Sequence, residues 1–292
     1  MTAPHVIDVT TPDIDMPLSE PSRIPSGAEE HHLAFVVAPE PGMIVLARFP
    51  DIGGKAAVVV RPWAQPDQDP PVVDLKLLTL VSTHCDDPQL LASLRDWADL
   101  RDANTESACH MITLQGAVVV WAVGRAAVVA TAERIETVKK ALLEFAFYEY
   151  EVKDVERRLN AMWPGLEEDS PIAFEFQARS IHKRRELGRR FREVVSLRAR
   201  VARVTPHVLY PHVHPPTLAT QVGERLRERA RLSARVEFLN SQLEVFDRVY
   251  ESCSQRLNDF VTARTGHTLE WVIIILLFVQ ICLVCAEMFA RN

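Results

Sequence analysis

The chain has 292 residues, of which 48% are hydrophobic and 25% charged, and its formal net charge is −6. That apolar content suffices for one moderate core and a second layer of helices. Five cysteines, three of them scattered and two, Cys282 and Cys285, inside a terminal apolar run, do not resemble a disulfide framework and fit a reducing compartment. Charge is divided unevenly: residues 1–120 carry 7 Lys and Arg against 17 Asp and Glu, while 121–292 carry 26 against 22, which suggests two regions with different partners.

Residues 1–30 hold six acids against Arg23, with five prolines and no apolar stretch. They read as a disordered acidic arm, not as a signal or transit peptide. Short β-like runs follow at Leu33 to Val37, Met43 to Phe49, Ala56 to Val60 and Val72 to Val81, separated by Gly, Pro and Asp. Asp86 or Asp87 can cap a helix with Pro88 in its first turn, whose Leu90, Leu91, Leu94, Trp97 and Leu100 share one face.

Strands near Ser107 to Leu114 and Ala117 to Val123 flank a turn at Gln115-Gly116, and Ala126 to Ala130 extends the sheet. Thr131 then caps a helix through Ile135, Val138, Leu142 and Phe145. This order predicts an α+β module with helices on one face of an antiparallel or mixed sheet. Tyr148 to Val152 fits either a returning strand or the start of the next helix.

Pro171 predicts the start of a long helix, Ile172 to Val204, and a proline-rich loop links it to a second from about Thr217. In the second, Leu232, Val236, Leu239, Leu243, Phe246, Tyr250, Cys253, Leu257 and Phe260 recur at alternating intervals of 4 and 3, a heptad seam. The seam can close on the preceding helix as a hairpin or on another copy as an intermolecular coiled coil.

The run from Trp271 to Ala286 has 16 residues, roughly 24 Å as a helix, and Leu269, Met288 and Phe289 lengthen it toward the about 30 Å of a hydrocarbon core. Eleven Val, Ile, Leu and Phe between Val272 and Val284 contribute about −3 to −7 kcal/mol to insertion, which outweighs Gln280. Few residues follow, so tail anchoring is expected, with the bulk of the chain cytoplasmic. A bacterial inner membrane is preferred over a mitochondrial one. The expected domains are 1–30 acidic arm, 31–165 α+β domain, 166–264 helical hairpin or coiled coil, and 268–290 transmembrane anchor.

Chemistry-bearing residues are sparse. Arg179, Lys183, Arg184, Arg185, Arg189, Arg190, Arg192, Arg198, Arg200 and Arg203 put ten basic residues within 25 positions, against Glu186 and Glu193. Such a helix can be a solvated, acid-paired face, or can bind RNA and ribosome phosphates or anionic lipid headgroups, with Lys183, Arg184, Arg185, Arg189, Arg190 and Arg192 as candidate contacts. His207, His212 and His214 lack companion ligands for a metal, and Cys85 and Cys109 lack CxxC spacing. Cys282 and Cys285 fall within the apolar run, where packing, or palmitoylation of Cys285, is expected instead of a redox pair. No Gly-rich phosphate loop or nucleophile elbow occurs, so no cofactor, metal, catalytic residue or small-molecule substrate is expected.

Arg235-Val236-Glu237-Phe238-Leu239-Asn240, then Leu257-Asn258-Asp259, then His267 through Leu276 resemble the end of the "required for meiotic nuclear division" family, also catalogued as a domain of unknown function. Gly116 to Trp121 is similar to its glycine-led strand. Phe176-Gln177-Ala178-Arg179-Ser180 replaces the usual Ala-Gln-Ser run, which marks a divergent branch. The resemblance implies an integral membrane protein with its α+β domain on the cytoplasmic or matrix side. The animal mitochondrial member supports organellar translation within a large assembly. Asn258, His267, Glu270 and Trp271 are the motif positions, expected to place the anchor at the membrane interface. The combined expectation is a non-enzymatic, self-associating, tail-anchored scaffold with membrane lipid and other copies of itself as partners. A translation-linked tether and an enzyme of unrecognised type are the alternatives.

Overall fold

The computed structural model describes residues 24–50, 52–60, 72–99, 109–174, 178–209 and 217–291. The first 23 residues of the acidic arm and the histidine loop with His212 and His214 lie outside them.

Seven strands form one sheet: β1 (Glu29–Val36), β2 (Ile44–Phe49), β3 (Lys55–Val59), β4 (Leu75–Val81), β5 (His110–Leu114), β6 (Ala117–Ala122) and β7 (Arg125–Ala130). Their spatial order is β2-β3-β1-β4-β7-β6-β5. Every neighbouring pair is antiparallel except β4 and β7, which run parallel. The chain makes that crossover through α1 (Pro88–Ala98) and the β5-β6 hairpin. Gln115 and Gly116 close the hairpin at φ 47° and 73°, the left-handed pair that a two-residue hairpin turn needs, and Arg134 donates to the Gln115 carbonyl.

Strand alternation divides the core in two. Leu78, Leu80, Val118, Val120, Ala127 and Val129 face α1, whose Leu94 and Trp97 are buried on them. Asp87 caps α1 by accepting from the Gln89 amide, and Pro88 begins it, as the sequence predicts. Leu33, Phe35, Leu75, Leu77, Val119, Trp121 and Val128 point the other way, toward α2 (Ile135–Phe174). Helices therefore cover both sheet faces, not one, because the two sides of the central strands are equally apolar. On the α2 side Phe147 stacks on Phe49 at 3.9 Å and meets Phe35 edge-on at 5.4 Å, while Phe145 meets Trp121 at 4.9 Å.

Helix α2 is longer than its sequence suggests. It runs unbroken through Tyr148 to Val152, through the expected boundary at 165 and through Pro164 and Pro171. A proline inside a helix leaves the carbonyl four residues back without its amide donor. For Pro171 that carbonyl is Glu167's, and the Ser170 hydroxyl donates to it at 3.2 Å. A 3-10 turn (Ala178–Lys183) leads into α3 (Arg184–Leu209), which begins later than Ile172 and contains Pro206.

The second expected long helix is two helices, α4 (Leu218–Arg229) and α5 (Leu232–Arg291). Arg231 at φ 50° breaks the chain between them, and Thr217 caps α4. From Leu232 through Leu257 every residue of the heptad seam is buried, against both α2 and α3. The arrangement is thus a four-helix assembly, with α2 and α4 against the sheet and α3 and α5 packed on α2, rather than a two-helix hairpin, and the seam is filled within the chain.

Candidate functional site

Acidic residues interrupt the buried side of α2. Glu149, Glu151, Asp154 and Asp169 are all under 8% exposed. A buried carboxylate is tolerable only when paired. Arg200 of α3 spans two of them, with Nη2 2.6 Å from Glu151 and Nη1 2.8 Å from Asp154, and Lys55 of β3 reaches Glu151 from the sheet. Arg235 of α5 takes both oxygens of Glu156, at 2.8 and 2.6 Å, and touches Glu149 at 3.3 Å. Arg190 binds Asp169 at 2.6 Å and the Gly165 carbonyl at 3.0 Å. Three arginines from α3 and α5 thus fasten both helices to α2.

The electrostatics follow from burial and partners. Desolvation pushes the Glu149 carboxyl above its ordinary value, and Arg235 offsets only part of this. Desolvation acts on Asp154 in the same sense, but hydrogen bonds from Arg200 and Arg157 outweigh it and hold Asp154 low. Burial, then the Asp169 charge, pushes the Tyr250 hydroxyl up to about 12.

A cleft of about 440 Å³ opens where the start of β4 and the β6-β7 turn meet α2, lined by Asp74, Trp121, Gly124, Glu149 and Tyr150 among others. Asp74 accepts the Phe35 amide at 2.8 Å, and burial raises its pKa. Of the cleft's charged groups, Asp154 pairs with Arg157 inside it and Arg200 behind it, and Glu149 is held from behind by Arg235. No group of three or more His, Cys, Asp and Glu placed to hold a metal occurs among the described residues.

The arginine helix is divided by the fold. Lys183 pairs with Glu168 at 2.7 Å, Arg190 and Arg200 are turned inward, and Arg198 pairs with Asp247. Arg184, Arg185, Arg189, Arg192 and Arg203 are exposed and make no ion pair among the described residues. Arg185, Arg189, Arg192 and Arg203 fall within a narrow arc of the outward face at about 100° per residue. The candidate set is therefore mixed, part clamp and part free surface.

No family model, no curated protein and no solved structure matches the chain.

The motif positions all lie on α5 beyond the clamp. Asn258 is exposed one position after the last buried seam residue, Leu257. His267 Nδ1 lies 2.9 Å from Glu270, and Trp271 is 64% exposed at the head of the apolar stretch. From there through Leu283, α5 shows contiguous exposed Val, Ile, Leu and Phe, and it is the one helix among the described residues that is long and apolar enough to cross a membrane. Sequence reasoning missed the carboxylates of α2 and their partner Arg235. The available signal was acids at apolar helical spacing, Glu149, Glu151 and Asp154 among Phe145, Tyr148, Val152 and Val155.

Proposed function

We propose that the chain is a non-catalytic scaffold held at a membrane by α5, which carries the α+β domain close to the bilayer surface. The supporting observation is continuity: a single helix runs from the buried Leu232 to Arg291, locked to the domain at Arg235 and bare and apolar from Leu269 to Leu283. An apolar surface of that extent is unfavourable in water and matches a hydrocarbon core. Trp271 and the His267–Glu270 pair stand where the headgroups would lie.

The scaffold reading is also supported by what the buried charges do. The carboxylates of α2 are bound by arginines and a lysine that hold elements together, the use expected of a rigid support. We assign the chain to the "required for meiotic nuclear division" family on the resemblance at residues 235–240, 257–259 and 267–276. Arg235, within that stretch, ties the anchor helix to α2 through Glu156 and Glu149. Self-association is not part of the proposal, because the heptad seam that suggested it is buried inside the chain.

Alkaline carbonate extraction of membranes containing the full chain tests the reading. Retention in the pellet is expected, with release on changing Ile274 and Leu277 to Arg, each costing about 2.5–3.5 kcal/mol at a helix centre. Release of the unaltered chain would reject it.

A further inference from the structure

Resting on the anchoring proposed above, we infer that the end of the helical layer nearest the bilayer, Arg184, Arg185 and Arg189 with Phe174, is a docking surface for anionic lipid headgroups of the same membrane.

The placement follows from the ion pairs. Arg198 of α3 meets Asp247 of α5, and Arg190 meets Asp169, whose carbonyl is 3.7 Å from the Cys253 sulfur. Descending α3 therefore means ascending α5, so the two are antiparallel. Continuing that progression puts Arg184 and Arg185 level with roughly residue 260, where α5 leaves the core. Leu269 is about 14 Å further along the helix axis. A headgroup layer roughly 5–7 Å deep fills part of that distance, leaving a gap near one Debye length of about 8 Å. A modest helix tilt or the reach of a guanidinium closes it.

Helix α2 runs parallel to α5, since Arg235 holds Glu149 and Glu156 while Cys253 touches Asp169. Its last residue, Phe174, accordingly arrives at the same end, 83% exposed. A large aromatic ring at the same end as unpaired guanidinium groups suits the bilayer interface, where ring and cation are both favourable. Arg264 of α5, exposed and without an ion pair among the described residues, adds charge about 7 Å from Leu269. Exposed Glu167, Glu193, Glu251 and Asp259, also without an ion pair among the described residues, lower the net charge of this end but hold none of the three arginines.

RNA is the weaker partner for these arginines. Single-stranded RNA recognition relies on exposed aromatic rings among the basic groups. Phe174 is a single exposed ring at this end among the described residues, short of the run of rings on which successive bases stack, and Phe191 of α3 is partly buried against the core. The unpaired charges nearest the anchor are also the ones a membrane reaches first.

The test is arginine footprinting with phenylglyoxal, read by mass spectrometry, on the full chain reconstituted in vesicles. Phosphatidylcholine vesicles are compared with vesicles containing 30% phosphatidylglycerol. Phosphatidylglycerol should slow labelling of Arg184 and Arg185 at least fivefold and of Arg189 less, with reversal in 1 M salt. Arg229 and Arg231, at the far end of the layer, should react equally in both. The Arg184→Gln/Arg185→Gln variant should lose the protection of Arg189. Equal labelling of Arg184 and Arg185 in the two vesicles overturns the inference and leaves the anchor standing. Protection in phosphatidylcholine vesicles by millimolar inorganic phosphate, or by an RNA oligonucleotide across Arg185 to Arg203, overturns it in favour of that ligand. A chain that alkali strips from the vesicles overturns the anchoring itself.

Discussion

Arg235 grips Glu156 with two parallel hydrogen bonds, Nε at 2.8 Å and Nη2 at 2.6 Å, and so joins the root of the 60-residue helix α5 to the helix that packs on the sheet. A forked guanidinium fixes orientation as well as distance, which a lysine in its place would not do. The same side chain also serves Glu149, which is only 5% exposed.

Arg235→Ala is expected to lower stability by about 2–4 kcal/mol, because it leaves Glu149 buried without its counter-charge. Arg235→Lys should recover only part of that loss. Denaturant unfolding of the detergent-solubilised chain measures both, and an Arg235→Ala chain as stable as the unaltered one would show the clamp to be idle.

Glu149 and Asp154 should give pH dependences of opposite sign. Glu149 titrates above its ordinary 4.5 when folded, so the stability it contributes is present below 4.5 and lost as pH rises through the folded value. Asp154 titrates below its ordinary 3.8, so its contribution is present above 3.8 and lost as pH falls through the folded value. Relative to the unaltered chain, Glu149→Gln should therefore gain stability between pH 4 and 7, and Asp154→Asn should do relatively best below pH 4. Stability curves over that range decide the signs.

The Tyr250 hydroxyl is buried close to Arg190, whose guanidinium is committed to Asp169 and Glu186, and it makes no hydrogen bond of good geometry among the described residues. An unpaired buried hydroxyl costs about 1–3 kcal/mol against a hydrogen-bonded one. Tyr250→Phe is accordingly expected to be neutral or to stabilise by up to about 1 kcal/mol, whereas Phe246→Ala, one turn earlier and edge-on to Trp163 at 4.9 Å, should cost about 3–5 kcal/mol. A large loss in Tyr250→Phe would show that the hydroxyl has a partner.

Phe147 sits between Phe49 and Phe35 and is fully buried. Phe147→Ala should destabilise by about 3–5 kcal/mol and loosen α2 from β2, measured as faster amide exchange in β2 and β3 than in β6.

Local signals carried most of the sheet into the sequence. Strand positions, the Gln115-Gly116 turn and the Asp87-Pro88 helix start each depend on chemistry within a few residues, and each appears where the pattern puts it. The apolar end of α5 is as plain, because length and composition alone define it. What stayed hidden depends on distant partners. Pro171 reads as the start of a helix, yet α2 runs through it and through Pro164, with the Ser170 hydroxyl bonded to the Glu167 carbonyl that Pro171 leaves without its amide donor. Arg190 and Arg200 look like members of a basic face until Asp169, Glu151 and Asp154, between 21 and 49 residues away, turn them inward. The heptad spacing identified the buried stripe of α5 and offered the preceding helix, α3, as its partner, but not α2, which presents the same kind of surface.

Cys282 offers the most direct measurement of the central claim, being an exposed free thiol on the apolar part of α5. In a chain with Cys85, Cys109, Cys253 and Cys285 changed to serine, a bulky membrane-impermeant maleimide should leave Cys282 unlabelled in intact membranes and label it fully in SDS. Ser254→Cys, exposed on the same helix before the anchor, should react in membranes opened to both sides. Labelling of Cys282 at the rate of that outside position, in intact membranes, would contradict the account and place the apolar helix in water.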